Sequence, residues 1–191
     1  MAFEKQLDIM CAGAFSVSND SDLKWVYFLD GLKDGDNNIA ALIRCNDMLR
    51  QTFADSEHYQ NYSVIMKNEL IFRKSGMVVG DKFFYDNYCT YQNTDFETWR
   101  KQSFEADTWQ LFPLEEIDTG EETLQAMTFS YPVRNYIQQE QEANAVVQFL
   151  LSKENLEQMF GQLLSRQGGI LIYDAEDRLL ASLGKINADG D

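Results

Sequence analysis

Residues 124–135 read LQAMTFSYPVRN. Met127, Phe129, Tyr131 and Val133 alternate with Thr128, Ser130 and Pro132, the period of two that sends successive side chains of a strand to opposite faces. Pro132 has no N–H to offer a neighbour, so it marks a strand end near an edge. Beyond it, the polar stretch NYIQQEQEAN (135–144) reads as a long hairpin arm or loop. AVVQFLL (145–151) then reads as the next strand.

Ser152 is a natural N-cap for SKENLEQMFGQLLSRQ (152–167), where Leu156, Met159, Phe160, Leu163 and Leu164 recur at helical spacing. Gly168 or Gly169 stops that helix. Phosphate-binding loops place their glycines before a helix, and this chain has neither GxGxxG nor GxxxxGK[ST] here, so QGG is a C-cap. GGILIYDAEDRLLAS (168–182) follows as a hairpin turning at Asp174–Asp177, expected to complete the sheet. Upstream, YSVIM (62–66), Lys67–Asn68 and ELIF (69–72) read as strand, tight turn and strand, with Asn68 tolerating positive φ. FFYDNYCTYQNTDFETWRKQSFE (83–105) reads as an aromatic loop until Thr94. There Thr94–Glu97 matches a capping box and predicts a short helix carrying Phe96, Trp99 and Arg100.

The first segment carries Phe3, Leu7, Met10, Ala14 and Val17 along one helical seam, suited to a partner helix or to its own domain. SNDSD (18–22) ends it, with Ser21 the expected N-cap of a second helix bearing Trp25, Phe28, Leu29 and Leu32. After the turn KDGDNN (33–38), Ile39, Leu42, Ile43, Leu49 and Phe53 form a third helical stripe. Helices, a strand pair, a loop with a short helix, two strands, a helix and a hairpin make an α+β fold with an antiparallel sheet.

A chain of 191 residues, 45% hydrophobic and 13% aromatic, suffices for one packed core. Its 16 basic and 31 acidic residues give a net charge of −15, which repels phosphate backbones and anionic lipid surfaces. No nucleic-acid partner is expected. The apolar runs, such as WVYFL (25–29), fall far short of the ~20 residues of a spanning helix. The opening MAFEKQLDIM turns polar at once, unlike an export leader.

Cys11, Cys45 and Cys89 lack CxxC or other metal spacing and read as buried free thiols, which leans against an oxidising compartment. Asp30, Asp34 and Asp36 do not fit the offsets of a hand-type calcium loop. His58, the only histidine, has no neighbouring catalytic motif. No catalytic residue, metal or cofactor is therefore expected.

TFSYPVRN, the variable arm after it, AVVQFLLSKENLEQMF and GILIYDAEDRLLAS together resemble the extracytoplasmic sensor domains of the Cache class. The nearest likeness is to the sensing regions of membrane-bound AraC-type transcription regulators and related sensor histidine kinases. The resemblance spans about residues 1–184. It implies a PAS-like antiparallel sheet of about five or six strands, a common sheet size, behind a long N-terminal helix. Residues 1–58 would then be stalk and packing helices, 59–184 the sensor domain, and 185–191 a tail to the next segment. The N-terminal seam would pair two protomers near the membrane that tethers the full-length receptor.

By the same resemblance a small molecule binds between the sheet and its cover. Tyr85, Tyr88, Trp99, Arg100 and Trp109 would come from the cover, and Tyr131, Arg134 and Asn135 from the strand. Aromatic walls with a few aimed polar groups suit such a ligand, and core packing is the competing reading for every aromatic. The family's amino-acid-binding branch uses Arg-x-Trp-Tyr and a later Asp. Here TWRKQSF (98–104) and Asn135 stand instead, and a neutral amide does not replace a carboxylate facing an ammonium ion. Trp99→Ala or Arg134→Ala is expected to weaken binding with the fold intact. The expected role is ligand sensing by an extracytoplasmic receptor domain, alongside two alternatives: a ligand-free structural or dimerisation module, and a cytoplasmic PAS-like sensor.

Overall fold

The computed structural model describes residues 2–26, 35–53, 61–134 and 143–185. Three helices come first, α1 (Ala2–Ser18), α2 (Ser21–Val26) and α3 (Gly35–Thr52). Strands β1 (Asn61–Met66), β2 (Leu70–Arg73) and β3 (Gly76–Val79) follow, then α4 (Asp81–Tyr88), β4 (Thr90–Tyr91) and α5 (Phe96–Glu105). Next come β5 (Gln110–Asp118), β6 (Thr123–Val133), β7 (Ala145–Ser152), α6 (Lys153–Met159), α7 (Gly161–Gln167), β8 (Gly169–Tyr173) and β9 (Leu179–Gly184).

Seven strands form one antiparallel sheet in the order β3-β2-β1-β7-β6-β5-β4. Its five inner strands run β2-β1-β7-β6-β5. The count exceeds the expected five or six because β3 and β4 are too short to show a periodicity. The closing hairpin does not complete this sheet: among the described residues, β8 and β9 pair with each other alone. Gly168 turns the chain at φ 80, and β9 then drives Leu180, Ala181 and Leu183 into the core. Added apolar packing thus takes the place of added ladder bonds.

β7 is buried along its whole length, so both faces of the sheet must be covered. On one face, Tyr62, Val64 and Met66 of β1, Phe129 of β6 and Phe149 of β7 meet the N-terminal helices, α6 and the hairpin in one continuous core. Phe53 links the layers, with its ring 4.7 Å from Tyr62 and 5.1 Å from Phe149. Met10, Ala14 and Val17 are buried there, and Phe3 and Leu7 pack beside them. Of the two uses open to this seam, a partner helix or its own domain, these five residues serve the second. On α3 the burial falls on Ala41, Leu42, Cys45 and Leu49, with Phe53 just past its end, while Ile39 and Ile43 of the expected stripe stay exposed.

On the other face, α4 and α5 lie over Ile65, Ile71, Val146 and Leu150. The stretch read as an aromatic loop therefore holds a helix, α4, whose Phe84 and Tyr85 point at the sheet. Pro132 pairs with Val146 on β7 but lies past Ser130, where pairing with β5 ends, so its missing N–H deprives no partner. The β1–β2 turn takes its positive φ at Glu69 rather than Asn68. Asn68 instead donates from Nδ2 to the Val26 carbonyl. Residues 152–167 form two helices, broken at Phe160 before Gly161.

Two caps fall one residue from their expected positions, and each time an aspartate holds the site. Asp95 accepts from the Thr98 N–H, and Asp20 from the Leu23 N–H. A carboxylate both accepts that bond and complements the positive end of the helix, which a hydroxyl does only in part. Asp20→Ala should cost about 1 kcal/mol of unfolding free energy and Ser21→Ala less than about 0.5 kcal/mol, measured by urea denaturation.

Candidate functional site

The registers of four strand pairs place Arg73 opposite Ser63, Ser63 opposite Gln148, Gln148 opposite Ser130, and Ser130 opposite Gln110. Partners in register share a face, so these side chains form one polar row crossing β2, β1, β7, β6 and β5 beneath α4 and α5. The row has apolar neighbours in Ile71, Ile65 and Val146. Ser63, Ser130 and Gln148 are buried.

Gln148 is 2% exposed, and its Nε2 donates to Ser103 Oγ of α5 at 2.9 Å. Its Oε1 has no hydrogen-bond partner among the described residues, and neither does Nε1 of Trp99, which is 1% exposed. An unpaired buried polar group costs about 1–3 kcal/mol, so two where the sheet meets its cover ask for an explanation.

A cavity of about 20 Å³ lies at this end of the row, lined by Ser63, Arg73 and Gln148 from the sheet and by Phe84, Tyr88 and Cys89 from α4 and its C-terminal cap. Space of that size admits about one water. Arg73 is the one charged residue lining it among the described residues. Its guanidinium lies 4.0 Å from the centre of the Tyr88 ring, and Nη2 donates to Glu121 Oε1 at 3.3 Å. Burial pushes the Cys89 thiol up to about 12, so it stays a neutral wall rather than a nucleophile. Burial likewise holds the Tyr91 phenol well above its usual range, and its hydroxyl pairs with Thr128 Oγ1 at 2.8 Å.

Of the residues singled out from the sequence, Tyr85, Tyr88, Trp99 and Arg100 share the covering layer. Tyr85 lies 5.3 Å from Trp99 and stacks on Tyr91, and its hydroxyl donates to the Thr94 carbonyl. Arg100 Nε donates to Asp81 Oδ2 at 2.6 Å, tying α5 to the start of α4. Arg134, just past β6, donates to the Ala106 carbonyl at 2.6 Å and so caps the end of α5. Trp109 and Tyr131 lie on the opposite face, where Trp109 stacks on Phe129 at 5.7 Å. Asn135 falls outside the described residues, as do His58, Asp30 and Asp34. Ser63, Arg73, Ser103, Ser130 and Gln148 were not singled out. Gln148 alone left a trace in the sequence, as the polar residue inside AVVQFLL.

Among the described residues, no group of three His, Cys, Asp or Glu side chains could hold a metal ion. No protein family matches the sequence, and no curated protein matches it. Among solved structures the fold is similar to the sensory domain of the Campylobacter jejuni chemoreceptor Tlp3 (CcmL) with isoleucine bound. The TM-score is 0.51 at 12% identity, over 95% of this chain and 64% of that one. The periplasmic sensory domain of the Campylobacter jejuni chemoreceptor Tlp1 is also similar, with a TM-score of 0.47 at 11% identity over 90% and 62% of the two chains. The chain thus spans a little under two thirds of each of these chains. At such identities the likeness is one of fold.

Trp99 is too deeply buried to serve as a clean probe of binding, in contrast to the expectation from sequence. Trp99→Ala should cost about 3–5 kcal/mol. Gln148→Met removes an unpaired group along with the bond to Ser103 and a long one to Ser130, and should cost less than about 1 kcal/mol. Urea midpoints of the two variants check that contrast.

Proposed function

We propose that the chain is an extracytoplasmic ligand-sensing domain of a bacterial signal-transduction receptor. It binds a small molecule between the sheet and the α4–α5 cover and performs no catalysis of its own. The observation that carries this reading is the pair of unpartnered buried groups, Gln148 Oε1 on the sheet and Trp99 Nε1 on the cover, with Gln148 also lining a cavity between the two. Small-ligand sites combine apolar walls with a few convergent polar groups, and this layer has both. The fold shared with the Tlp3 sensory domain supports the same reading.

That domain has isoleucine bound, which carries an ammonium group. The cavity here presents no carboxylate among its described lining residues, so a ligand of different charge fits better. No described helix is long and apolar enough to cross a membrane. The membrane tether and an output domain of the transcription-regulator or histidine-kinase kind belong to the proposal. Pairing of two copies along α1 would use what the core leaves exposed there, Ile9 and Phe15.

Sensing would be a population shift, in which a ligand that favours one arrangement of the cover biases the helices beyond it. A ligand bound only by the folded state must raise the unfolding midpoint. In a thermal-shift screen of small polar metabolites at millimolar concentration, at least one compound should raise the midpoint of the wild type and leave Gln148→Met unmoved. A flat response across the collection from folded protein would refute the sensing role.

A further inference from the structure

We propose that the closing hairpin is a self-association surface, where two copies of this chain join antiparallel along the free edge of β8. The contact is independent of what the cavity holds and of any pairing along α1. β8 pairs with β9 on one side, and no described strand pairs with its other side. Bonds at its two ends fix the direction of its backbone groups. Lys185 N–H donates to the Gly168 carbonyl at 2.7 Å and Asp174 N–H to the Arg178 carbonyl at 3.0 Å, so Gly168 and Asp174 turn toward β9. Bonding groups alternate in direction along an antiparallel strand, so those of Gly169, Leu171 and Tyr173 turn away from it. Gly184, paired with Gly169, agrees: its N–H leaves the hairpin on the far side of β9 and reaches Glu157 Oε1 at 3.3 Å. The outward groups of Gly169, Leu171 and Tyr173 have no backbone partner among the described residues.

Natural sheets blunt such edges with charges, prolines or extreme shortness. β3 and β4, the edges of the main sheet, are four and two residues long, and β3 lies between Lys74 and the pair Asp81–Lys82. β8 reads GILIY, five residues with neither a charge nor a proline. Its outer face exposes Leu171 and Tyr173, with the exposed Leu179 of β9 opposite Tyr173.

This strand suits a copy of itself. In an antiparallel pair centred on Leu171, Leu171 meets its own counterpart, Ile170 meets Ile172, and Gly169 meets Tyr173. Partners in each case share a face, and the residues with outward N–H and C=O groups fall opposite one another, so both edges are satisfied at once. The Tyr173 ring of each copy covers the bare Gly169 backbone of the other, an arrangement that stabilises edge glycines.

The hairpin is also polarised in charge. Its turn carries Asp174, Glu176 and Asp177 against Arg178, whereas at the opposite end Arg166 closes α7 and Lys185 follows β9. Antiparallel pairing sets the acidic turn of each copy beside the basic end of the other, and the two-fold axis makes that contact twice. A chain of net charge −15 needs such local complementarity to approach its own copy. An edge of five residues makes a small interface, so the association depends on concentration.

The test is sedimentation equilibrium of the whole chain from about 1 µM to about 1 mM, the range in which small interfaces form and dissociate. The mass should rise reversibly from monomer to dimer. Leu171→Lys places two ammonium groups side by side on the symmetry axis and should weaken dimerisation about tenfold or more. Glu176→Lys and Arg166→Glu should each weaken it several-fold, and the double variant should recover most of that loss, because the charges are exchanged rather than removed. All three side chains are exposed, so thermal midpoints of these variants should stay at the wild-type value. A monomer at every concentration overturns the proposal. So does a dimer unchanged by Leu171→Lys, or a pair of charge reversals that do not compensate. A dimer lost in Phe15→Ser but kept in Leu171→Lys assigns self-association to α1 and overturns it too.

Discussion

A strand buried on both faces cannot stop at one covering layer, and β7 imposes that condition on the whole molecule. It is paired along its length by β1 on one side and β6 on the other, so its backbone groups are spent in the ladder and only its side chains remain to be placed. Ala145, Val147, Phe149 and Leu151 go to the N-terminal helices, and Val146, Gln148 and Leu150 go to α4 and α5. The first face is apolar throughout this stretch. The second puts an amide at its centre, with serines opposite on both neighbouring strands. A core selected for stability alone would not hold that row, because each buried polar group must find a partner or weaken the fold.

The cover over this row is attached unevenly. Asp95 caps the start of α5, Arg134 caps its end, and the Gln148–Ser103 bond fixes its inner side. α4 is held at its start, where the half-buried Arg100–Asp81 pair joins it to α5. At its other end the contacts are with Gly120 and, through the Tyr88 ring, with Arg73. Thr90 Oγ1 also donates to the Tyr85 carbonyl at 2.8 Å and β4 joins β5 directly after, so this end is tied to the sheet edge where the start is tied to α5.

Much of the fold was legible in local pattern. The alternation in 124–133, the apolar run 145–151 and the cap at Ser152 lie within single elements and survive intact. What was missed depends on competition or distance. Asp95 outdid Thr94 for a cap, Gly161 broke a stripe that reads as continuous, and aromatic residues of modest helix propensity formed α4 because the sheet offered them a surface. The site divides the same way. Tyr85, Tyr88, Trp99 and Arg100 share a layer because they are neighbours in sequence. Arg73, Ser63, Gln148 and Ser130 meet only through the register of strands up to 85 positions apart, Ser63 to Gln148 being the longest step. No window of sequence contains that register.

The two faces are joined by a single thickness of sheet, and that bears on how a change at one could reach the other. On β6, Thr128 and Ser130 point to α5, while Met127 and Phe129 between them point to the layer that holds α1. Phe129 is itself wedged between Trp109 and Phe149. Close-packed interiors transmit displacement rather than absorb it, so a shift of β6 or β7 toward one helical layer is matched by movement in the other. Contact alone does not make a relay, because coupling also needs an element with two discrete arrangements that both sites bias. The proposed sensing role assigns that element to the α4–α5 cover on the polar face, and α1, seated through Met10, Ala14 and Val17, lies in the layer across the sheet from it.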